Sequence, residues 1–499
     1  MELLTVAQMR AAEQMGVQTG IKEEQMMEQA GKSAADALLS EYADYTRMVV
    51  LCGKGNNGGD GAVVARYWAK AGREVKVVYV LGEPVTECAK SMAEQLNHCA
   101  VSKVDYSQNR DLATEWLSDC DLVIDGVFGI GFHGDLPKQV QGVFSLCAEK
   151  GLPVVALDLP SGVSSDDGLV ASGTPTCVAT IAFHSYKFAH VLYPAATVCG
   201  KVTVADIGLS VNEQPSCFVI DQTEVAKQLV RSDGDTHKGT FGKATLLVGS
   251  KGMAGAATLA VQGCLRCGVG LCYPVVPESI YPMVSLAAPE GVYRVYDDTA
   301  SPANVLPVCM DAPALLVGCG LGDRIFTRQM MYELIGSYDG CLVIDADGIN
   351  SLVPHIHKLK ERKAPTILTP HPGEMARLLG TTIQAVQSDR FNTAVAFAKT
   401  YGVVTVLKGA GTIVASPDGR VAVNRTGNSG LSKGGSGDLL AGMITSFCAQ
   451  GIDPFEAAYT AVWLHGAAAD KVARKFSKRG MLPSDVAEGL CELFLQFEA

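Results

Sequence analysis

Short, uninterrupted apolar runs alternate along the chain with longer stretches whose apolar residues recur every three to four positions. In the first half the runs predict strands at Met48–Cys52, Val75–Leu81, Leu122–Gly126, Val154–Leu157, Ala179–Phe183 and Val202–Ile207. The stretches between them, such as Gly58–Ala71 and Val85–Cys99, carry helical spacing. A strand apolar on both faces must be covered on both, so the pattern predicts a doubly wound, mostly parallel α/β sheet. Between Val211 and Lys243 the pattern dissolves into Pro, Ser, Asp, Gly and Thr. It then restarts with strands at Ala244–Gly249, Leu315–Val317, Leu342–Asp345, Thr366–Leu368 and Val404–Leu407. A helix begins at Ala254, and a helical finish runs from Asp438 to Phe497. The expectation is two different α/β domains, residues 1–225 and 226–499, not copies of one another.

Composition agrees with two domains. The chain has 499 residues, 48% of them apolar, enough for two cores. A formal charge of −11 argues against non-specific binding to nucleic acid or anionic membranes, so anionic ligands need local backbone and dipole sites. The 16 cysteines are scattered through apolar runs without paired CxxC motifs, which predicts reduced core thiols. Cys264-Leu-Arg-Cys267 falls on a predicted helix. The opening segment MELLTVAQMRAAEQ reads as an amphipathic acidic helix, not a signal peptide. No apolar run approaches the ~18 residues of a membrane span, so a cytoplasmic protein is expected.

The densest chemistry lies at Thr426–Gly442, TGNSGLSKGGSGDLLAG, where glycines run into an apolar helix with Asp438 at the junction. Glycines let N–H groups face an anion, and a helix N-terminus adds the positive end of its dipole. An aspartate there reads as a base beside a phosphate cradle. Two further elements join it: the rigid turn Thr369-Pro-His-Pro-Gly-Glu374, which presents His371, and Lys408-Gly-Ala-Gly-Thr412 after a buried strand. Singly these are a turn histidine, a solvated strand end and a helix cap; together they read as a nucleotide site. In the first half, Gly55-Asn-Asn-Gly-Gly-Asp-Gly61 follows the first strand, and Asp125 and Asp158 each end an apolar strand. A carboxylate is costly to bury at such a place without a purpose. Oxygens of Asn57, Asp125 and Ser161 suit a monovalent cation better than magnesium. Turn and capping chemistry alone gives the same residues, and at this level both readings stand.

GNNGGDG, DGVFGIG and DLPSG, in this order, resemble the YjeF N-terminal domain over residues 1 to about 220. The resemblance implies a Rossmann-like NAD(P)H-hydrate epimerase, which interconverts the R and S forms of hydrated NADH and NADPH and binds potassium. It puts substrate on Asn56, Asn57, Gly58, Gly59 and Asp60, on Gly129, Ile130, Gly131, Phe132, His133, Gly134 and Asp135, and on Asp158. Potassium would lie on Asn57, Asp125 and Ser161, and Asp158 is the candidate for proton transfer. Lys187 stands in His184-Ser-Tyr-Lys-Phe-Ala-His190, where the family has a lysine flanked by proline or glycine, and its role stays open.

KGTFGKATLLVGSKGMAGAATLA (Lys238–Ala260), VGCGLG (Val317–Gly322), DADGIN (Asp345–Asn350), TPHPGEMARLLG (Thr369–Gly380), KGAGT and NRTGNSGLSKGGSGDLLAG (Asn424–Gly442) resemble the NAD(P)H-hydrate dehydratases of the ribokinase-like superfamily. The match spans residues 235–499. It implies that Ala256, Gly320, His371 and Asp438 hold the hydrated cofactor. Lys408, Gly409, Ala410, Gly411, Thr412 and Gly437 would hold the adenine nucleotide, with magnesium, and Asp438 would be catalytic. Cys319 departs from the family's proline, a change in turn stiffness. The implied reaction is loss of water from the S epimer at the expense of ADP, which the fused arrangement favours over ATP. A homo-oligomer is the expected assembly. The rivals are a small-molecule kinase of the same superfamily, which DADGIN and TPHPGE count against, and an N-terminal half that only binds or regulates. Asp60, Asp125 and Asp158 count against the second.

Overall fold

The structure, a computed structural model, describes residues 1–210, 215–229 and 234–498. The chain divides into two compact units, Met1–Pro215 and Ser216–Ala499. Besides a short parallel pair, Leu3–Leu4 with Tyr186–Lys187, the first has a main sheet of seven strands: β1 (Arg47–Cys52), β2 (Glu74–Tyr79), β3 (Ser102–Asp105), β4 (Leu122–Gly126), β5 (Val154–Leu157), β6 (Ala179–Phe183) and β7 (Lys201–Ala205). They form one parallel sheet in the order β3-β2-β1-β4-β5-β6-β7. The order reverses between β1 and β4, the switch point where such sheets bind ligands. Pairing of Met48 with Leu122 through Cys52 with Gly126 sets their carboxyl ends level. Every residue of β4, β5 and β6 is buried, which is why these strands are apolar throughout. The edge strand β3 escaped the sequence reading because its residues are exposed or half-buried and carry no apolar run. Helices α1 (Val6–Gln18), α2 (Glu23–Glu41) and α3 (Asn56–Lys70) bury Met9, Met26, Met27, Ala34, Leu38, Val63 and Trp68 in one core with β1 and β2.

The second unit contains β8 (Cys217–Val219), β9 (Lys243–Leu247), β10 (Leu271–Pro277), β11 (Arg294–Tyr296), β12 (Ala314–Val317), β13 (Cys341–Ile344), β14 (Thr366–Leu368), β15 (Val404–Leu407), β16 (Ile413–Ala415) and β17 (Val421–Val423). Their order is β8-β17-β16-β15-β14-β13-β12-β9-β10-β11, with β16 alone antiparallel to its neighbours. The first unit ends ten residues before the expected boundary at 225, because β8 pairs with β17 and Val225 joins the second core. Part of the expected linker, residues 211–214 and 230–233, lies outside the described residues. The sequence reading also missed β10, which carries Pro274 and Pro277, and the three-residue strands β11, β16 and β17.

Around this sheet lie α4 (Ala254–Arg266), α5 (Pro372–Leu379), α6 (Arg390–Tyr401), α7 (Ser436–Ala449), α8 (Pro454–Gly480) and α9 (Pro483–Glu498). The expected single helical finish is therefore three helices, parted where Pro454 and Pro483 restart the chain. All 16 cysteines are free thiols; Cys264 lies in α4 and Cys267 caps it, both buried. Among the described residues, no helix is long and apolar enough to cross a membrane.

Helices α4 and α7 meet backbone to backbone. A Cβ on Gly442 would fall 2.0 Å from the carbonyl oxygen of Ala260, and one on Gly263 2.2 Å from that of Leu439. Neither neighbour is a side chain that can swing away. Gly442→Ala gains about 1 kcal/mol of helix propensity but must force two backbones apart. Overpacking costs about 1–3 kcal/mol or more, so sterics win. Calorimetry of Gly442→Ala should show the transition of the second unit at lower temperature and that of the first unit unmoved.

Candidate active sites

In the first unit the loops after β1, β4 and β5 converge. Asp125, at the end of β4, is wholly buried. Its carboxylate accepts from Ser161 N (2.7 Å), Ser161 Oγ (2.6 Å) and Val127 N (3.2 Å). Burial still pushes the carboxyl up to about 6, because the groups that oppose it are neutral hydrogen-bond donors. Asn57 reaches this corner, donating from Nδ2 to Leu157 O at 3.3 Å, and a Cβ on Gly129 would lie 3.3 Å from its Cγ. A single buried carboxylate ringed by neutral oxygens is a donor set that fits a large monovalent cation, which would supply the missing charge.

Asp158, just beyond β5, adopts a left-handed backbone (φ 63°), a strained conformation for a non-glycine residue. Its surroundings hold it there. Lys187 Nζ, fully buried, donates to Asp158 Oδ1 and to Phe183 O, both at 2.5 Å, and Phe183 N donates to the same carboxylate oxygen at 3.1 Å. The Lys187 N–H donates to His190 Nδ1 at 2.9 Å, so the proton sits on Nε2, which donates to Asp158 O at 2.7 Å. The lysine whose role the sequence left open is thus the counter-charge of Asp158.

Three of the four glycines of GNNGGDG, Gly58, Gly59 and Gly61, serve packing. A Cβ on Gly58 would fall 2.1 Å from Gly53 O, and one on Gly59 2.6 Å from Met27 Sδ. Gly58, Gly59 and Asp60 are buried in the first turn of α3, while Asn56 is exposed. Asn56 and Asp60 line a cavity of about 470 Å³. In the loop after β4, Gly131, His133, Gly134 and Asp135 are exposed and Gly129 and Ile130 half-buried. Phe132 belongs to the core, its ring 5.2 Å from that of Phe128.

The second unit gathers its site from four strand ends and one helix. Asp345, after β13, is buried, and accepts from Lys408 Nζ (2.7 Å) and Thr369 Oγ1 (2.6 Å). Burial alone would raise its carboxyl, but Lys408 and these hydrogen bonds hold it below the usual range. Asp438, in the first turn of α7, has no lysine bonded to it among the described residues: burial, then the charge of Asp345, pushes it up to about 7 against the Cys319 thiol and the more distant charge of Lys408. Glu374, also raised to about 7 by burial, lies 4.0 Å from Lys408 Nζ and accepts from His371 N at 2.8 Å. His371 Nδ1 caps α5 by accepting from Gly373 N and Glu374 N, and half its side chain stays exposed.

Gly437 lets α7 begin against the lysine, since a Cβ there would lie 3.2 Å from Lys408 Nζ. Gly320, left-handed at φ 65°, faces Ala256, where a Cβ would come within 2.8 Å of the alanine's own. The Lys408–Thr412 turn is shaped by Arg390 of α6, which donates to the carbonyls of Leu407, Lys408 and Gly411. Gly409 (φ 148°) passes directly over that guanidinium. Cys319 Sγ and an oxygen each of Asp345 and Asp438 lie within 4.8 Å of one another. A hard cation such as magnesium takes oxygens, so the two carboxylates are the fitting donors and the thiol is not. The sequence reading placed Asp438, Lys408 and His371 here but passed over Asp345, Glu374 and Arg390. Asp345 ends an apolar strand just as Asp125 and Asp158 do, and that signal was available.

Comparison with known proteins accords with this geometry. Residues 23–189 match the family described as YjeF-related protein N-terminus, and residues 244–491 that described as NAD(P)H-hydrate dehydratase. The bifunctional NAD(P)H-hydrate repair enzyme of Moorella thermoacetica is 34% identical over 488 residues, covering 93% of this chain and 91% of the relative. Among solved structures, the ADP/ATP-dependent NAD(P)H-hydrate dehydratase of Bacillus subtilis, co-crystallised with ATP and Mg2+, is 33% identical (TM-score 0.51). That match covers 56% of this chain and 98% of that one. A ribokinase-like superfamily protein of Enterococcus faecalis shares the fold at 23% identity, with a TM-score of 0.51 over 58% of this chain and 99% of its own. With both units matched, and a relative aligned over nearly its whole length, this chain belongs to the family of bifunctional NAD(P)H-hydrate repair enzymes.

Proposed function

We propose that this chain restores hydrated NADH and NADPH. The first unit interconverts the R and S epimers, and the second removes water from the S epimer at the expense of ADP, giving AMP and phosphate. The observation that carries the reading is Asp438: a buried carboxyl displaced to about 7 at the first turn of a helix, beside a compensated Lys408–Asp345 pair. Such a group is a general base tuned to neutral pH, placed where helix N–H groups favour a phosphoryl group.

Asp438 takes the proton of the C6 hydroxyl as that oxygen attacks the terminal phosphoryl group of ADP, and the bond to the AMP oxygen breaks. The phosphorylated hydroxyl then leaves as phosphate, and loss of a neighbouring proton restores the ring double bond. N–H groups of Gly434–Gly437 stabilise charge on the transferring group. Asp345 is the carboxylate that would hold magnesium, which would offset phosphate charge and leave the Asp438 carboxyl free to take the proton. Ala256, Gly320 and His371 would hold the hydrated cofactor, and Lys408–Thr412 with Gly437 the adenine nucleotide. In the first unit, Asn57, Asp125 and Ser161 would hold potassium, and Asp158 moves the proton. The family's reaction on a diffusible cofactor fits a cytoplasmic homo-oligomer without nucleic-acid or membrane partners.

Asp438→Asn should lower dehydration of the S epimer by about 10²-fold or more and leave epimerisation intact; assay of each step on purified epimers decides this. In the wild type, kcat/KM for dehydration should rise with pH through about 7 and then level off, as the base loses its proton. Stability runs the other way. The folded carboxyl is raised, so the folded chain binds a proton that the unfolded chain releases, and stability is lost as pH rises from about 4 to about 7. Asp438→Asn removes that loss and should melt higher than wild type at pH 8.

Asp158→Asn should abolish epimerisation and spare dehydration. Lys187→Met should do the same while also lowering the melting temperature of the first unit, since it strands a buried carboxylate. An unchanged rate of R-to-S conversion in either variant would count against the assignment.

A further inference from the structure

The 470 Å³ cavity of the first unit is walled by α1, α2 and the start of α3. Glu13 of α1 and Asp60 of α3 both line it, with Arg10, Glu23 and Asn56, and Phe183 closes it on the side of the sheet. Phe183 is the residue whose N–H and carbonyl hold Asp158 and Lys187. The cavity therefore ends one residue from the ion pair. Asp60 is only 9% exposed, and its carboxyl has no hydrogen-bond or ion-pair partner among the described residues. An anion so placed is costly. Burial, Asp158 and Glu13 all favour its acid form, opposed by the charge of Lys187. Glu13 is displaced in the same direction, by burial and then by Asp158, with Lys187 and Arg10 opposing. Two carboxyls that resist ionisation line the cavity, and the Asp158–Lys187 ion pair lies just behind Phe183 at its end, which puts an acid and a base at one site.

We infer that Glu13 and Asp60 form the proton-donating wall of the epimerase site, Asp60 as donor to the departing hydroxyl and Glu13 as a positioning residue on the same cavity wall. This assignment rests on the epimerase reading above. The C6 hydroxyl is borne by a carbon bonded to the ring nitrogen. The Asp60 proton passes to that oxygen, the C6–O bond breaks, water leaves, and the nitrogen lone pair forms a C6=N1 bond. Water then adds to the opposite face of C6, its proton passes to the Asp158 carboxylate, and the electron pair returns to nitrogen. The oxygen is replaced once per inversion. The two acids exchange protonation states, so the forward reaction leaves the site ready for the reverse one.

The test uses the full chain, the purified R epimer and H2 18O, without ADP so that the second unit stays idle. Wild type should incorporate one 18O per inversion. Asp60→Asn should lose kcat for inversion by about 10²-fold or more with little change in KM. Glu13→Gln should lose about tenfold, with Glu13→Asp restoring most of it. Dehydration of the S epimer with ADP should be unchanged in all three, which reports that the chain is folded. Inversion at the wild-type rate in Asp60→Asn and Glu13→Gln, a loss confined to KM, or inversion without 18O uptake would overturn the assignment while leaving the epimerase reading in place. A wild-type chain that fails to invert at all would remove both.

Discussion

A carboxylate buried at the end of a parallel strand must find a cation or keep its proton. Both units are organised around that constraint, and both resolve it in the same way. One acid is paired with a lysine: Asp158 with the buried Lys187 at 2.5 Å, and Asp345 with the half-buried Lys408 at 2.7 Å. A second acid nearby is left without a lysine of its own and is pushed toward its neutral form: Asp60 in the first unit, Asp438 in the second. The pairing separates two chemically identical groups into an ionised one and a protonatable one, which is what proton transfer at neutral pH requires.

The glycines belong to the same economy of space. In the second unit, Gly442 and Gly263 let α7 settle on α4, and Gly437 lets its first turn rest on Lys408. Asp438 comes close to Asp345 because Gly442 of α7 and Gly263 of α4 permit backbone contact between the two helices, and Gly437 lets the first turn of α7 approach Lys408. In the first unit, Gly58 and Gly59 draw α3 onto the β1 loop and α2, and so sink Asp60 below the surface. What the sequence suggests as a cradle for a ligand is thus first a device for bringing acids into low dielectric, where their ionisation can be set.

This explains what was legible in the chain and what was not. The strands β1, β4, β5, β6, β14 and β15 are apolar on both faces, so their pattern is local and readable. The edge strand β3 and the hairpin of β16 and β17 are fixed by their neighbours, and no local pattern marks them. The catalytic candidates Asp158 and Asp438 stand beside glycine or proline turns and could be picked out. The ion pairs could not: Lys187 lies 29 residues from Asp158 and Lys408 lies 63 from Asp345, distances closed only by strand order. Glu13 was hidden because nothing in an amphipathic helix distinguishes the glutamate that faces a cavity from those that face water.

The raised acids also answer how a chain of charge −11 accepts an anionic nucleotide. With Asp345, Glu374 and Asp438 all ionised, the cluster around Lys408 would carry two net negative charges and repel a phosphate. Burial holds Glu374 and Asp438 at about 7, so near neutrality each is roughly half protonated and their combined charge is about halved, and the Lys408–Asp345 pair cancels itself. The lysine amine is engaged within the protein, which leaves phosphate binding to the helix N–H groups of α7 and to the backbone of the Lys408–Thr412 turn. In the proposed reaction, attack on a phosphoryl group would take the proton of the hydroxyl onto Asp438 and so build no further negative charge on the protein. The site therefore admits the anion and supplies the base with one adjustment, the burial of two carboxyls around a single ion pair.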